Sequence, residues 1–317
     1  MSETNATWRK LNLGYRLFAA NDMFVRDKLA AVQVGGFTGI TDALLSLFIN
    51  VDVGGTRVTD IAARAGLTKQ SVVELVDRVE KLGAVLREAD PGDRRARIVT
   101  FTPLGVRLSR CLHQAIVDAE DRFADIVGAD FAREFKDRFG KYSAIPVPGG
   151  DMVGDASGHR SEAAWRSGNV GRVFALASRR FAREALSHVH QRQYCGVTEV
   201  MLALFRNLDL AGTRLTEIAA RAHMTKQSMR ELVNQAEAQG LITRQSDLDD
   251  RRAKIIAFTA AGLAMLEQMR IGLAQAEADA GIIVGEAFLA ETRLRRSDYA
   301  ANAGPVGAGT VWSRGPA

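Results

Sequence analysis

Thr68, Lys69, Gln70 and Ser71 form an unbroken run of hydrogen-bonding side chains, and 157 residues later Thr225, Lys226, Gln227 and Ser228 repeat it in the same order. An ammonium, an amide and a hydroxyl in consecutive positions can donate to phosphate oxygens and to base edges. A second run follows each of these. Arg94, Arg95 and Arg97 stand close behind Asp93, and Arg251, Arg252 and Lys254 behind Asp250. Guanidinium and ammonium groups clustered in this way can neutralise phosphates and displace counterions from a duplex. For any single residue, helix capping, solvation or ordinary surface charge is the competing explanation. The recurrence of both runs favours binding to an acidic polymer.

The rest of the composition excludes more than it adds. A chain of 317 residues, 47% hydrophobic and 25% charged, has the balance of an ordinary globular protein and the length of about two domains. A net charge of +5 agrees with an acidic partner without demanding one. The two cysteines, Cys111 and Cys195, and the histidines His113, His188 and His190 lack the spacing of a disulfide framework or a metal site, so no metal or cofactor is expected. No Gly-rich phosphate loop or nucleophile elbow occurs, and the chain does not read as an enzyme. Met1 to Lys10 is polar and unlike a signal peptide, and no apolar run reaches the length of a membrane span; a cytoplasmic protein without membrane contact is the expectation.

An internal repeat organises the sequence. Thr59 to Gly105 returns as Thr216 to Gly262 without a gap, with about half of the positions identical, and the same offset maps Gly14 onto Gly171 and Ile126-Val127-Gly128 onto Ile283-Val284-Gly285. The expected organisation is a first repeat over residues 8–141, a Pro- and Gly-rich linker over 142–162, a second repeat over 163–296 and a disordered tail over 297–317.

Within the first repeat, Trp8 to about Val34 and Gly39 to Asn50 are helix-compatible. Thr59 is placed to cap a short helix from Asp60 to Ala65, Gly66 to end it, and Thr68 to cap the next one: a helix-turn-helix. In the second of these helices Val72, Leu75, Val76, Val79 and Leu82 make a stripe for burial, and Lys69, Gln70, Ser71, Glu74, Asp77 and Arg78 form the opposite face. Strand-like runs at Val85 to Glu88 and Arg97 to Phe101 flank Asp90-Pro91-Gly92-Asp93, giving a hairpin that carries Arg87, Arg94, Arg95 and Arg97. Thr102 can cap a long helix to about Val127 with a seam of Leu108, Leu112, Ala115, Ala119, Phe123 and Ile126. The fold class is mainly α with small β-hairpin wings: tandem winged helix-turn-helix domains whose long helices form a pseudo-dimer interface.

Asp93-Arg94-Arg95-Ala96, followed by Ile98-Val99 and Phe101-Thr102-Pro103-Leu104-Gly105, resembles the wing signature of the MarR family, and Asp250-Arg251-Arg252-Ala253 with Phe258-Thr259 and Gly262 repeats it. The resemblance implies a ligand-responsive repressor on double-stranded DNA, with recognition helices in the major groove and Arg95 and Arg252, oriented by Asp93 and Asp250, in the minor groove. It also implies a small aromatic or phenolic effector; Trp8, Tyr15, Phe18, Trp165 and Phe174 lie on helices that could line its pocket, although an aromatic on an amphipathic helix is usually core, and no ligand residue is assigned. Family members usually carry one unit per chain and dimerise; here a monomeric pseudo-dimer and a homodimer are both open. Val73 and Asp77 become Arg230 and Asn234, so the second reading head looks more basic and an imperfect palindrome is expected. Arg57, Arg64, Arg214 and Arg221 are candidate phosphate contacts, with simple exposure as the alternative. The competing function is a winged-helix protein-interaction scaffold, which needs no basic wing.

Overall fold

The computed structural model describes residues 12–145, 168–222, 224–246 and 254–301. Its elements run α1 (Leu13–Val34), α2 (Asp42–Asn50), β1 (Thr56–Arg57), α3 (Val58–Ala65), α4 (Lys69–Lys81), β2 (Val85–Asp90), β3 (Asp93–Phe101), α5 (Pro103–Val127) and α6 (Ala129–Ala144). The same order then returns as α7 (Val170–His190), α8 (Leu202–Asn207), β4 (Thr213–Arg214), α9 (Leu215–Arg221), α10 (Lys226–Ala238), β5 (Ile242–Ser246), β6 (Lys254–Phe258), α11 (Ala260–Val284) and α12 (Glu286–Ala301). Two three-stranded antiparallel sheets, ordered β1-β3-β2 and β4-β6-β5, are the wings. No described helix is long and apolar enough to cross a membrane.

The expected elements form, with instructive shifts. Helix α3 starts at Val58 with Arg57 as its cap, and Thr59 lies inside it, bonding to Asp60. The pairing of Arg57 with Ile98 fixes the end of β1, so the chain turns into helix directly after it. Gly66 ends α3 in the left-handed region, φ 64°, and Leu67 N–H returns to Ala62 O. Val72, Val76 and Val79 are buried, but Leu82 is 45% exposed because α4 stops at Lys81 and the chain turns away at Gly83, φ 72°. The wing strands are longer than expected, since cross-strand pairing continues from Val85–Phe101 out to Asp90–Asp93. Helix α6 runs to Ala144, into the stretch read as linker, because Tyr142 is buried against Phe139 and pins the last turn. The backbone of α12 continues helical to Ala301, into the stretch read as tail, whose Ala300 and Ala301 are strong helix formers.

A tight junction joins each wing to the helix after it. Thr102 Oγ1 accepts from Gly105 N–H at 3.1 Å, capping α5, and donates to Gly83 O at 2.7 Å at the end of α4. Thr102 N–H meets Ala84 O at 3.1 Å. Thr259 repeats all three bonds with Gly262, Gly240 and Leu241. One threonine, through its hydroxyl and its N–H, thus ties the recognition helix, the wing and the long helix together.

The described chain divides into two compact units: residues 17–145, 168–177 and 287–301 in one, 12–16 and the described part of 178–286 in the other. Each draws on both repeats. In the first, Phe123 and Phe135 of repeat one pack against Phe174 of repeat two and Phe131 stacks on Phe288, while Phe139 stacks on Phe135. There too a Cβ on Gly171 would meet the Phe24 ring at 2.2 Å. In the second, a Cβ on Gly14 would meet the Phe181 ring at 2.3 Å. These are the same two positions with the repeats exchanged. The second unit has its own core, from Leu186 and Met201 on α7 and the turn before α8 to Met229 and Val233 on α10 and Met265 on α11.

Candidate nucleic-acid interface

The tip of each recognition helix has the same construction. Thr68 Oγ1 accepts from Ser71 N–H at 3.1 Å, and the Thr68 and Ser71 hydroxyls share one hydrogen at 2.8 Å. Thr225 and Ser228 repeat both distances. These hydroxyls therefore serve first as caps, and each pair keeps one further O–H that can donate outward. Lys69, Gln70, Lys226, Gln227 and Arg230 are all exposed. Gln70 Nε2 donates to Glu74 at 3.3 Å; Lys69, Lys226 and Arg230 make no ion pair among the described residues.

Over their full lengths the two helices carry balanced charge, three basic and three acidic residues in Lys69–Lys81 and two of each in Lys226–Ala238. The second head is more basic only in its first two turns, where Arg230 joins Lys226. Arg78 and Lys81 of the first head become Gln235 and Ala238. The difference is thus one of placement.

The wings separate arginines that brace from arginines that point outward. Arg87 lies on a wing strand but turns back to the recognition helix: its guanidinium donates to Asp77 and Glu80, each at 2.5 Å, and to Val73 O at 3.3 Å. It is a clamp and does not project as expected, because two carboxylates one turn apart on α4 draw it in. Arg244 makes the equivalent clamp to Glu237 and Asn234. Arg97 is exposed opposite Ala89, with no ion pair among the described residues, and Lys254 is exposed with its Nζ 3.2 Å from Ser246 Oγ. Between the Ala89–Arg97 and Asp90–Asp93 pairs the register shifts, which puts residues 94–96 in a bulge at the wing tip. Such bulges re-aim the strand. The side chains of Arg94 and Arg95, and Asp250, Arg251 and Arg252 entirely, lie outside the described residues.

Arg57 and Arg64 both pair with carboxylates of their own head, Arg64 enclosed and Arg57 still partly exposed. Arg64, 7% exposed, donates to Asp52 at 2.7 Å and to Asn50 O at 3.1 Å, joining α3 to the end of α2; Arg221 does the same with Asp209 and Asn207 but is more open. Arg57 Nε donates to Asp90 at 2.6 Å, and its Nη2 stands 4.0 Å from Asp93. Asp90 also accepts Gly92 N–H at 2.8 Å, a turn motif that closes the hairpin. The Gly92 amide first and the Arg57 guanidinium second hold the Asp90 carboxyl below the usual aspartate range, and Asp90 in turn raises Arg57. This brace was missed from the sequence because its partners are 33 residues apart; the Asp-Pro-Gly turn was its only local sign.

A group with a depressed pKa supports the fold at pH above its unfolded value, and that support is lost as pH falls through the folded value. The wing-tip brace is accordingly intact at neutral pH and opens in acid. Nuclear magnetic resonance of the Gly92 amide should show a transition with its midpoint below that of an ordinary aspartate. In Arg57→Ala the midpoint should move up without reaching the ordinary value, since the Gly92 bond remains. An unmoved midpoint would show that the ion pair does not hold the wing in solution.

A MarR family model matches residues 38–96 and again residues 197–253, each match covering one helix-turn-helix and the first strand of the wing after it. Both repeats are MarR-family winged helix-turn-helix units. BadR of Rhodopseudomonas palustris, a transcriptional activatory protein, is 29% identical to this tandem MarR chain over 133 residues, which cover 40% of the chain and 74% of BadR. CouR of Rhodococcus jostii RHA1, in a structure bound to p-coumaroyl-CoA, is 28% identical over 35% of this chain and 76% of its own, with a TM-score of 0.32. CouR as a transcriptional repressor bound to a 23-mer DNA duplex is 30% identical over 37% and 82% respectively, with a TM-score of 0.31. Among the effector-lining candidates of the MarR resemblance, Phe174 is fully buried in the aromatic cluster, Tyr15 is half-buried and Phe18 is 41% exposed. Trp8 and Trp165 lie outside the described residues.

Proposed function

We propose that the chain is a sequence-specific, DNA-binding transcriptional regulator acting in the cytoplasm as a ligand-responsive repressor. The reading rests on one observation: two copies of the same capped helix tip, each presenting an exposed lysine and glutamine beside an exposed basic residue on the wing, Arg97 or Lys254. The duplicated units over residues 8–141 and 163–296 act as the two heads of a pseudo-dimer on an imperfect palindrome. Their recognition helices enter the major groove, and Arg95 and Arg252, oriented by Asp93 and Asp250, enter the minor groove. Arg94 and Arg251 contact the adjoining backbone. A small aromatic or phenolic effector weakens the complex; support comes from CouR, which has been captured with p-coumaroyl-CoA and with DNA. One chain on one site requires half-site centres about 34 to 36 Å apart.

Selection from random duplexes, followed by titration across salt concentrations, tests this. An enriched imperfect palindrome is expected, with log Kd rising linearly with log salt as counterions are released. Replacing both Lys69 and Lys226 by alanine should weaken binding on all sequences and reduce the salt slope by about 2, roughly 1 per lost phosphate contact. No enriched sequence, with only weak salt-sensitive binding, would favour the protein-interaction scaffold instead.

A further inference from the structure

The Arg87 and Arg244 clamps do more than hold wing to helix: they fix which polar atom the neighbouring helix residue turns outward. Arg87 Nη2 donates to Asp77 Oδ1 at 2.5 Å, and Arg244 Nη2 donates to Asn234 Oδ1 at 2.6 Å. A guanidinium only donates, so it takes the amide oxygen of Asn234 and leaves the amide nitrogen facing away. From Asp77 it takes one oxygen and leaves the other, which has no further protein partner among the described residues, on a side chain 50% exposed. Asn234 is exposed at the equivalent place. One turn earlier on the same face stand Val73 in the first repeat and Arg230 in the second.

We propose that Asp77 and Asn234 are specificity-determining residues that give the two heads opposite hydrogen-bond polarity at one base step. Head one offers an acceptor, which suits the exocyclic amine of cytosine or adenine. Head two offers a donor, reinforced by Arg230, which suits the O6 and N7 of guanine or the O4 of thymine. This rests on the DNA-binding reading above and names where its two half-sites differ.

The swaps Asp77→Asn and Asn234→Asp test it in the full chain. Each places in one repeat the residue that the other already carries in the same clamp, so both heads keep a clamp that the fold accommodates. Kd is measured at fixed salt on the selected duplex and on duplexes changed one base pair at a time. Asp77→Asn should turn a cytosine-or-adenine preference into guanine-or-thymine at one position of one half-site, by about tenfold, and Asn234→Asp should do the reverse in the other half-site. Base preferences that stay put, or Kd values that shift equally on every duplex, would overturn the proposal, because either result makes residues 77 and 234 mere contributors of charge. If the unmodified chain enriches no sequence, the DNA-binding reading itself fails and this inference with it.

Discussion

Phe135→Ala is expected to lower unfolding stability by about 3–5 kcal/mol, the range for truncating a fully buried phenylalanine. Phe135 is 0% exposed and lies among four other rings, 4.5 Å from Phe139, 5.1 Å from Phe174, 5.8 Å from Phe123 and 6.2 Å from Phe131 between centroids. Its removal forfeits apolar burial, ring-to-ring contacts and the packing of a void that rings on several helices cannot all collapse to fill. Phe174 belongs to the second repeat, so the loss also loosens an attachment between the copies within this unit. Urea unfolding of the full chain provides the measurement, with Phe18→Ala, at a residue 41% exposed, as a control expected to change stability by less than about 1 kcal/mol. A loss at Phe135 no larger than that of the control would mean that the cluster is not packed as described.

The second large effect belongs to the wing junction. A Cβ on Gly105 would stand 1.9 Å from Ala84 O, and one on Gly262 would stand 1.9 Å from Leu241 O. Both neighbours are backbone carbonyls held by Thr102 and Thr259 N–H, so neither can swing aside as a side chain would. Gly105→Ala and Gly262→Ala should each destabilise by about 3 kcal/mol or more, at the upper end of overpacking effects. Gly140, on α6, provides the contrast: nothing lies within 4 Å of a Cβ built there, so Gly140→Ala should stabilise by about 0.5–1 kcal/mol. Equal outcomes at the crowded and the open glycine, read from thermal unfolding, would sink the argument.

Much of this was legible in the chain. The repeat, the two helix-turn-helix units, Gly66 as the left-handed stop and the Thr68 and Thr102 caps all depend on residues within a few positions of each other, and local hydrogen bonding dominates there. Hydrophobic spacing located the buried stripe on α4 at Val72, Val76 and Val79; Leu75 is only half-buried, and the stripe fails at Leu82, where the helix stops. For Phe174 the sequence leaves core and effector-lining roles open; it is core, and the deciding neighbours, Phe123 and Phe135, lie on other helices.

The arginines show most clearly where local reading stops. In sequence, Arg57, Arg64, Arg87 and Arg97 are alike, four exposed-looking cations near a DNA-binding motif. By itself the sequence determined the elements, their duplication and the residue types offered at each helix tip and wing. Only the tertiary structure decided that Arg57 braces the wing tip through Asp90, that Arg64 joins α3 to α2, that Arg87 clamps wing to helix through Asp77 and Glu80, and that Arg97 stays exposed. The reason is geometric: a guanidinium pairs with whichever carboxylate the fold brings within hydrogen-bond reach, and for Arg57, Arg64 and Arg87 those partners lie from 7 to 33 residues away along the chain.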